Sequence, residues 1–264
     1  MLVSSPASWY FCKYNQYILR NRERTMKAIM RGVKTCWILF WACLFSIILF
    51  LPIVVVALIS RTGNLPFTIS KWWAYGMLFV SFVRPRITGR EKIKKGHSYI
   101  IISNHQSLYD ILALVTTLKM QFRWVIKKEI MKIPLFGYAL YASRNIFIDR
   151  GDINKAKESI QKGLKRLPTG TSVMCFAEGT RSHDGKLGKF KKGGFYIALE
   201  REIPILPVTV NGSRRILPKG TYAFNPGTID VVVADPIETT GCTHEMIEEI
   251  MGKTWKVINS NLIQ

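Results

Sequence analysis

Hydrophobic positions along the chain form one long apolar run near the N-terminus, followed by short runs separated by polar segments. Residues 35–60 carry no charged side chain, and residues 37–59 are almost wholly apolar. A run of 23 residues is long enough to cross a hydrocarbon core of about 30 Å. A cleaved signal peptide is disfavoured, because a long basic stretch precedes the run and no small-residue cleavage site follows it. The pattern therefore predicts a retained membrane segment.

A second apolar segment, residues 67–83, is shorter and is interrupted by Lys71 among aromatic residues that suit the headgroup level. Seven Lys or Arg lie in residues 1–34 and six in residues 84–95. Because basic residues favour the cytoplasmic side, both flanks belong there, and we predict a membrane-embedded helical hairpin over 36–83. The alternative is a single span with the remainder of the chain translocated.

The chain thus divides into a basic N-terminal segment (1–35), the hairpin (36–83) and a larger domain (84–264). The N-terminal segment is basic and rich in aromatic residues, which fits either an interfacial helix or an unstructured tail. Nothing in it suggests catalysis.

After the hairpin, apolar runs typical of strands alternate with segments of helical periodicity. Strands are predicted at 98–103, 122–126, 145–149, 171–177, 204–210 and 228–234. Helices are predicted at 108–118, 129–142, 152–167, 190–200 and 243–259. This alternation predicts an α/β fold with a largely parallel sheet flanked by helices.

The net charge indicates the kind of partner, and the cysteine spacing bears on metal sites and disulfides. The net charge is +21, and residues 84–264 carry +13 of it, so the partners are expected to be anionic. No nucleic-acid signature accompanies this charge, and a membrane segment makes an anionic phospholipid surface the simpler partner. The five cysteines contain no Cys-x-x-Cys pair, so neither a zinc site nor a disulfide framework is indicated.

The pairing of His105 with Asp110 is the first candidate for chemistry. Side chains five residues apart on one continuous helix diverge by about 140°. His105 therefore has to precede a helix, and it follows the predicted strand 98–103, with Ser107 as the N-cap. There the Asp110 carboxylate can fold back toward the imidazole. A competing interpretation is a capping box, in which Asp110 only satisfies a backbone N–H.

A second polar cluster, Glu178 to Ser182, follows the predicted strand 171–177. Ligands of open α/β sheets bind at the carboxyl ends of strands, and His105 reaches the same kind of edge. Arg181 offers a fork of donors suited to a phosphate, and Gly179 allows close backbone approach. Taken alone, the cluster also fits an ordinary turn with a surface ion pair.

Together the clusters belong to four ordered blocks that resemble the 1-acylglycerol-3-phosphate acyltransferases of the glycerolipid acyltransferase superfamily. The blocks are NHQSLYD (104–110), KKE with IPLFG and FIDR (127–129, 133–137, 147–150), FAEGTRS (176–182) and IPILPV (203–208). The resemblance covers roughly residues 84–240, and the order of the blocks makes it far more specific than any one block.

The resemblance implies that His105 acts as general base and Asp110 orients it, so that a glycerol hydroxyl attacks an acyl thioester without an acyl-enzyme. Backbone N–H groups at the start of helix 108–118 are candidate oxyanion donors, and Pro207 is expected to shape the pocket. The residues expected to bind substrate are Asn104, Lys127, Arg150, Glu178, Gly179, Thr180 and Arg181.

The expected acceptor is a membrane lysolipid, the product phosphatidic acid, and the donor acyl-CoA or acyl-carrier protein. No cofactor or metal is expected. The catalytic domain should lie on the cytoplasmic face of a bacterial inner membrane or a eukaryotic endomembrane. Two alternatives remain open: an acyltransferase for glycerol-3-phosphate or another lysophospholipid, and a non-catalytic basic membrane-binding protein.

Overall fold

A mixed sheet of seven strands lies at the centre of the computed structural model, which describes residues 6–149 and 151–263. Side chains are described for 16–149, 151–152, 155–156 and 158–263. The strands are β1 Val83–Thr88, β2 Ile100–Ser103, β3 Phe122–Lys127, β4 Ile146–Ile148, β5 Ser172–Phe176, β6 Ile205–Asn211 and β7 Gly227–Val233.

The order across the sheet is β1-β7-β6-β2-β5-β3-β4. All neighbours pair in parallel except β6 and β7, which pair antiparallel. Strand β2 lies in the centre, and Ile100, Ile101 and Ile102 are fully buried because helices cover both faces of the sheet. The predicted α/β class with a largely parallel sheet is confirmed.

The helices form one layer on each face of the sheet. They are α1 Pro6–Ile59, α2 Asn64–Val80, α3 Tyr109–Thr117, α4 Phe136–Ala142, α5 Ile153–Lys165, α6 Gly193–Glu200, α7 Ser213–Ile216 and α8 Ile247–Ser260. Core side chains of α1, α2 and α3 cluster on one face. Those of α6 and α8, with partly buried residues of α5, cluster on the other.

Helix α1 joins two segments that the sequence suggested were separate. It continues from the basic N-terminal segment through the apolar run. For the N-terminal segment, the structure therefore has a helix and not an unstructured tail from Pro6 onward. Within the described residues α1 is the one helix long and apolar enough to cross a membrane, and only 6% of its apolar window is buried. Leu51, Leu58 and Ile59 are among the exposed side chains.

Helix α2 packs onto the same core as the sheet. Phe67, Ala74, Met77 and Leu78 are buried there beside residues of α3 and β7. The predicted boundary at residue 83 therefore falls inside one packed unit.

The turn between α1 and α2 is bound to the sheet by a buried arginine. The guanidinium of Arg123, on β3, donates to the carbonyl of Thr62 and to Oδ1 of Asn64. It also lies over the ring of Phe67. The tip of the predicted hairpin thus lies against the sheet.

One strand was not predicted, and one predicted helix was wrong. Residues 83–88 form the edge strand β1, where Pro85 costs no hydrogen bond to a second neighbour; the sequence suggested only a basic flank. The single helix over 129–142 is instead a 3-10 turn, Lys128–Lys132, followed by α4. Pro134 explains the break, because the residue before a proline avoids helical geometry.

Candidate active site

The sheet places the two polar clusters next to each other. Strands β2 and β5 are parallel neighbours, and Ser103 at the end of β2 pairs with Phe176 at the end of β5. The turns that follow both strands therefore leave the same edge of the sheet, as predicted. His105 lies in the first turn and Glu178 in the second.

The His105 to Asp110 pairing is present and buried. Nδ1 of His105 lies 2.7 Å from Oδ2 of Asp110, and Asp110 is fully buried. The same oxygen accepts the N–H groups of Gln106 at 2.7 Å and Ser107 at 2.8 Å. Asp110 therefore orients the imidazole and also satisfies backbone donors before α3, so the two interpretations of this residue are both true of one carboxylate.

Ser107 contributes to the turn. Its hydroxyl donates to the carbonyl of Leu217 at 2.8 Å and accepts the N–H of Tyr109 at 3.2 Å. Helix α3 begins one residue later than predicted, so Leu108 is at the N-cap position. The Ser107 side chain is thus occupied in fixing the start of the helix.

The expectation that backbone N–H groups at this helix start bind an oxyanion stays a prediction. The N–H groups of residues 105–107 and 109–111 all donate to acceptors within the protein. Donors already engaged in this way are not free to stabilise charge on a substrate. The N–H of Leu108, at the N-cap position, has no acceptor among the described residues and is the donor that remains.

Two aromatic rings support the His105 imidazole. The ring of Phe176 stacks on it with centroids 3.8 Å apart and planes 7° apart, and Trp124 stacks on Phe176 at 5.4 Å. The His105 side chain is 13% exposed, and Nε2 has no protein partner among the described residues. Neither aromatic residue was assigned this role from the sequence; the position of Phe176 at the end of a strand beside the His105 turn was the available signal.

Glu178 joins the two turns. Oε1 accepts the N–H of His105 and Oε2 accepts the N–H of Gly188, both at 3.1 Å. The carbonyl of His105 in turn accepts the N–H of Ser182 at 2.8 Å. Burial raises the pKa of Glu178 above its ordinary value of 4.5, against the opposing effect of these N–H donors. In this geometry the carboxylate positions the backbone of His105.

Asn104 is also held by the backbone. Its Oδ1 accepts the N–H of Val210 at 2.8 Å, and its Nδ2 donates to the carbonyl of Val210 at 2.9 Å. The side chain continues the pairing of β2 with β6 by one step, and the residue is buried. The predicted contact with substrate stays a prediction, since both polar atoms have structural partners.

Arg181 has a free guanidinium among the described residues, at the same edge as His105. Gly179 adopts a φ of +70°, which favours glycine and turns the chain there. Thr180 is exposed, and Nζ of Lys219 lies 3.4 Å from its hydroxyl and donates to the carbonyl of Arg181 at 2.8 Å. Lys219, which lies between α7 and β7, was not identified from the sequence.

The remaining predicted residues are less closely connected with this cluster. Lys127 ends β3 and lies 3.3 Å from Glu129, with both side chains about half exposed. Arg150 lies outside the described residues. Pro207 is buried within β6, opposite Ile102 of β2, and its predicted effect on a pocket stays a prediction. In the described part of the chain, no group of three or more His, Cys, Asp or Glu could hold a metal ion.

A cavity of about 500 Å³ opens beside the His105 turn. Gln106, Lys186, Arg214 and Asp230 are among the residues that line it. The side chain of Gln106 also donates to the carbonyl of Gly185 at 2.8 Å. The cavity adjoins the His105 turn through Gln106, and its lining includes three basic residues and two acidic ones.

The sheet, the paired turns and the oriented imidazole agree with a family match. An acyltransferase family model matches residues 84–211, the part of the chain that contains both turns. The fold and the site therefore define an acyltransferase domain.

Individual relatives show to which family of acyltransferases the chain belongs. The 1-acyl-sn-glycerol-3-phosphate acyltransferase of Pseudomonas aeruginosa is 31% identical over 188 residues, which cover 70% of this chain and 72% of that protein. The chloroplastic enzyme of the same name from Brassica napus is 33% identical over 171 residues, 64% of this chain, and the chain spans 49% of its length. The chain belongs to the 1-acyl-sn-glycerol-3-phosphate acyltransferase family.

A solved structure shares most of this architecture. The crystal structure of the 1-acyl-sn-glycerophosphate (LPA) acyltransferase PlsC from Thermotoga maritima superimposes with a TM-score of 0.76 at 25% identity. The match covers 89% of this chain and 95% of that one. It therefore extends beyond the region of the family model into the helices before β1.

Proposed function

We propose that the protein transfers a fatty acyl group from an acyl thioester to the free hydroxyl of 1-acylglycerol-3-phosphate and so forms phosphatidic acid. The observation that carries the proposal is the imidazole of His105, fixed at Nδ1 by Asp110 and without a protein partner at Nε2 among the described residues. An imidazole held in this way accepts a proton at Nε2 from a hydroxyl in front of it.

The reaction needs no covalent enzyme intermediate. The acceptor hydroxyl gives its proton to Nε2 of His105 while its oxygen forms a bond to the thioester carbonyl carbon. The carbon–sulfur bond then breaks, and the leaving thiolate takes the proton from the imidazolium. Asp110 stabilises the imidazolium between these steps, because its carboxylate lies against Nδ1.

The acceptor is proposed to bind through its phosphate at Arg181. This guanidinium is unpaired within the described residues. Arg181 lies in the turn after β5, which is hydrogen-bonded to the backbone of His105 through Glu178 and Ser182. A planar fork of donors binds phosphate in two-pronged fashion. Lys127 and Arg150 are kept as further candidates for phosphate contacts, as the family resemblance implies.

The exposed apolar side of α1 is proposed to hold the domain on the membrane, with the site on the cytoplasmic face. Arg123 keeps the α1–α2 turn against β3, and we infer that this turn lies on the same side of the bilayer as the sheet. A hairpin bound in this way enters the membrane from one side without crossing it. The lysolipid acceptor then reaches the site from the bilayer, and the thioester reaches it from the aqueous side.

The test is an assay of the detergent-purified chain with lysophosphatidate and an acyl thioester, with phosphatidate detected by mass spectrometry. We expect product from the wild type and a loss of about 10² to 10⁴ in kcat for His105→Ala. Full activity of that variant would reject the mechanism. Acylation of glycerol-3-phosphate or of a neutral lysolipid in preference to lysophosphatidate would reject the proposed acceptor.

A further inference from the structure

Helix α1 changes character on its domain-facing side where it passes the active-site edge. Ile38 is buried there, and Ala42 and Phe45 pack against the core. Toward the N-terminus the same face continues with basic residues at spacings of three and four, which keeps them on one side of a helix. These residues are Lys34, Arg31, Lys27, Arg24 and Arg20. We call this set the basic stripe.

The basic stripe borders a cavity of about 420 Å³. Lys27, Arg31 and Lys34 line it from α1, and residues between Pro218 and Asn225 line it from the opposite side. Lys34 donates to Oδ1 of Asn225 at 3.1 Å, which fixes the helix against this segment.

The cavity is connected to the His105 turn by the segment that lines it. The segment 217–225 follows α7, and the carbonyl of Leu217 at its start accepts the hydroxyl of Ser107. Within the segment, Lys219 donates to the carbonyl of Arg181. The same short segment therefore contacts the His105 turn, the Arg181 turn and the basic stripe.

The charge in this cavity is poorly compensated. None of the residues that line it is acidic. Arg31 has no ion pair or side-chain hydrogen bond among the described residues, and Lys27 has only an exposed contact with Glu23 at 3.7 Å. Cations facing an open space without a carboxylate favour an anionic ligand.

We propose that this cavity binds the nucleotide phosphates of the acyl donor, so that the donor is acyl-CoA. The inference rests on the proposed function, because it assigns the carrier part of that reaction's thioester. The cavity has the volume of a small-molecule site, whereas an acidic carrier protein needs a surface of about 800 Å² on each partner.

The membrane is a poorer partner for the basic stripe than the nucleotide. The exposed residues Leu19, Met26 and Val33 lie seven apart on a different face of α1, and this face suits the apolar part of a bilayer. With that face toward lipid, the basic stripe is left facing the catalytic edge.

The test compares two donors that carry the same acyl chain, acyl-CoA and S-acyl-pantetheine, which lacks the nucleotide. The variant is Lys27→Ala with Arg31→Ala, and Lys34 is kept because it anchors α1. We expect the ratio of kcat/KM for acyl-CoA to that for S-acyl-pantetheine to fall at least about tenfold, as for lost charged hydrogen bonds. Arg22→Ala, which changes an arginine of α1 outside the basic stripe, is the matched control and should keep the wild-type ratio.

Binding is measured separately on the full chain in detergent, with adenosine 3′,5′-bisphosphate as the probe. We expect binding by the wild type and by Arg22→Ala, weakened at least about tenfold in the double variant. No binding by the wild type, or an unchanged donor ratio in the double variant, would overturn the inference. So would a defect confined to acyl-carrier protein, or one confined to binding of anionic vesicles. Nucleotide binding without acyl transfer from any donor would instead reject the proposed function.

Discussion

Oδ2 of Asp110 accepts from Nδ1 of His105 at 2.7 Å and from two backbone N–H groups at similar distances. One oxygen therefore orients the candidate base and also fixes the turn that begins α3. This shared use couples catalysis to local stability, and the two effects can be separated by substitution.

Asp110→Asn should impair both functions of the carboxylate. An asparagine removes the charge that stabilises the imidazolium, and its NH₂ group is buried where Oδ1 has no partner among the described residues. We expect kcat to fall at least about tenfold and the free energy of unfolding to fall by about 1–3 kcal/mol. His105→Ala is the comparison, because it removes the base and leaves the two backbone contacts. Wild-type kcat in Asp110→Asn would contradict the orienting role.

Asn104→Ala tests whether this side chain is structural or binds substrate. The substitution leaves the N–H and carbonyl of Val210 without their partners at the end of β6. We expect a loss of about 1–3 kcal/mol in the free energy of unfolding with little change in KM for the acceptor. Asn104→Asp, which keeps the size but cannot donate, should also destabilise. A raised acceptor KM with unchanged stability would favour the substrate contact predicted from the sequence.

Arg181→Ala should reduce discrimination between acceptors. If the guanidinium binds the acceptor phosphate, its loss raises KM for lysophosphatidate about ten- to hundredfold, as expected for hydrogen bonds to charged groups. A lysolipid without a terminal phosphate should be affected much less, and Arg181→Lys should recover part of the difference. Equal effects on both acceptors would remove the phosphate assignment.

Whether a contact in the site could be predicted from the sequence depended on how many residues separate its two partners along the chain. The His105 to Asp110 contact spans five residues, and the strand-to-helix pattern around it was enough to predict it. The contact of Asn104 with Val210 spans 106 residues and that of His105 with Glu178 spans 73. Such contacts depend on the order of the strands in the sheet, which the apolar pattern of a sequence does not reveal. The side chains of Asn104 and Glu178 were therefore assigned to substrate binding.

The same limit applies to the first two helices. Composition indicated an apolar hairpin, and the apolar run was found within α1. The contact of Arg123 with Thr62 spans 61 residues, and a buried arginine within an ordinary strand pattern gives no sign of its partner. The packing of α2 on the sheet therefore became evident only in three dimensions.

Glu178 should make stability depend on pH. Because burial raises its folded-state pKa above 4.5, the folded protein holds this proton more tightly than the unfolded chain does. Its contribution to stability is therefore present below about pH 4.5 and declines as the pH rises through the folded-state pKa. The difference in unfolding free energy between wild type and Glu178→Gln should shrink over that range.

Unfolding midpoints measured from pH 4 upward check this expectation. Glu249→Gln, an exposed position on α8, controls for the loss of one negative charge. A difference between wild type and Glu178→Gln that grows with rising pH would show the opposite sign and contradict it.

Arg123→Met should release the α1–α2 turn from the sheet. Burial and the nearby Arg144 lower the pKa of Arg123 to about 10, so the side chain remains a cation at neutral pH. Methionine fills similar space but leaves the carbonyl of Thr62 and the side chain of Asn64 without this donor. We expect faster proteolysis within residues 60–64 and a loss of about 1–3 kcal/mol in stability.

Activity on vesicles should decrease more than activity in detergent, because a hairpin whose tip is no longer held against β3 does not fix the depth of the site at the membrane surface. Arg201→Met, an exposed arginine just after α6, is the control for removing a positive charge. Wild-type protease resistance and an unchanged ratio of vesicle to detergent activity in Arg123→Met would contradict this role of Arg123. The packing of α2 alone would then hold the turn, and the contacts of Arg123 would no longer support insertion of the hairpin from one side of the membrane.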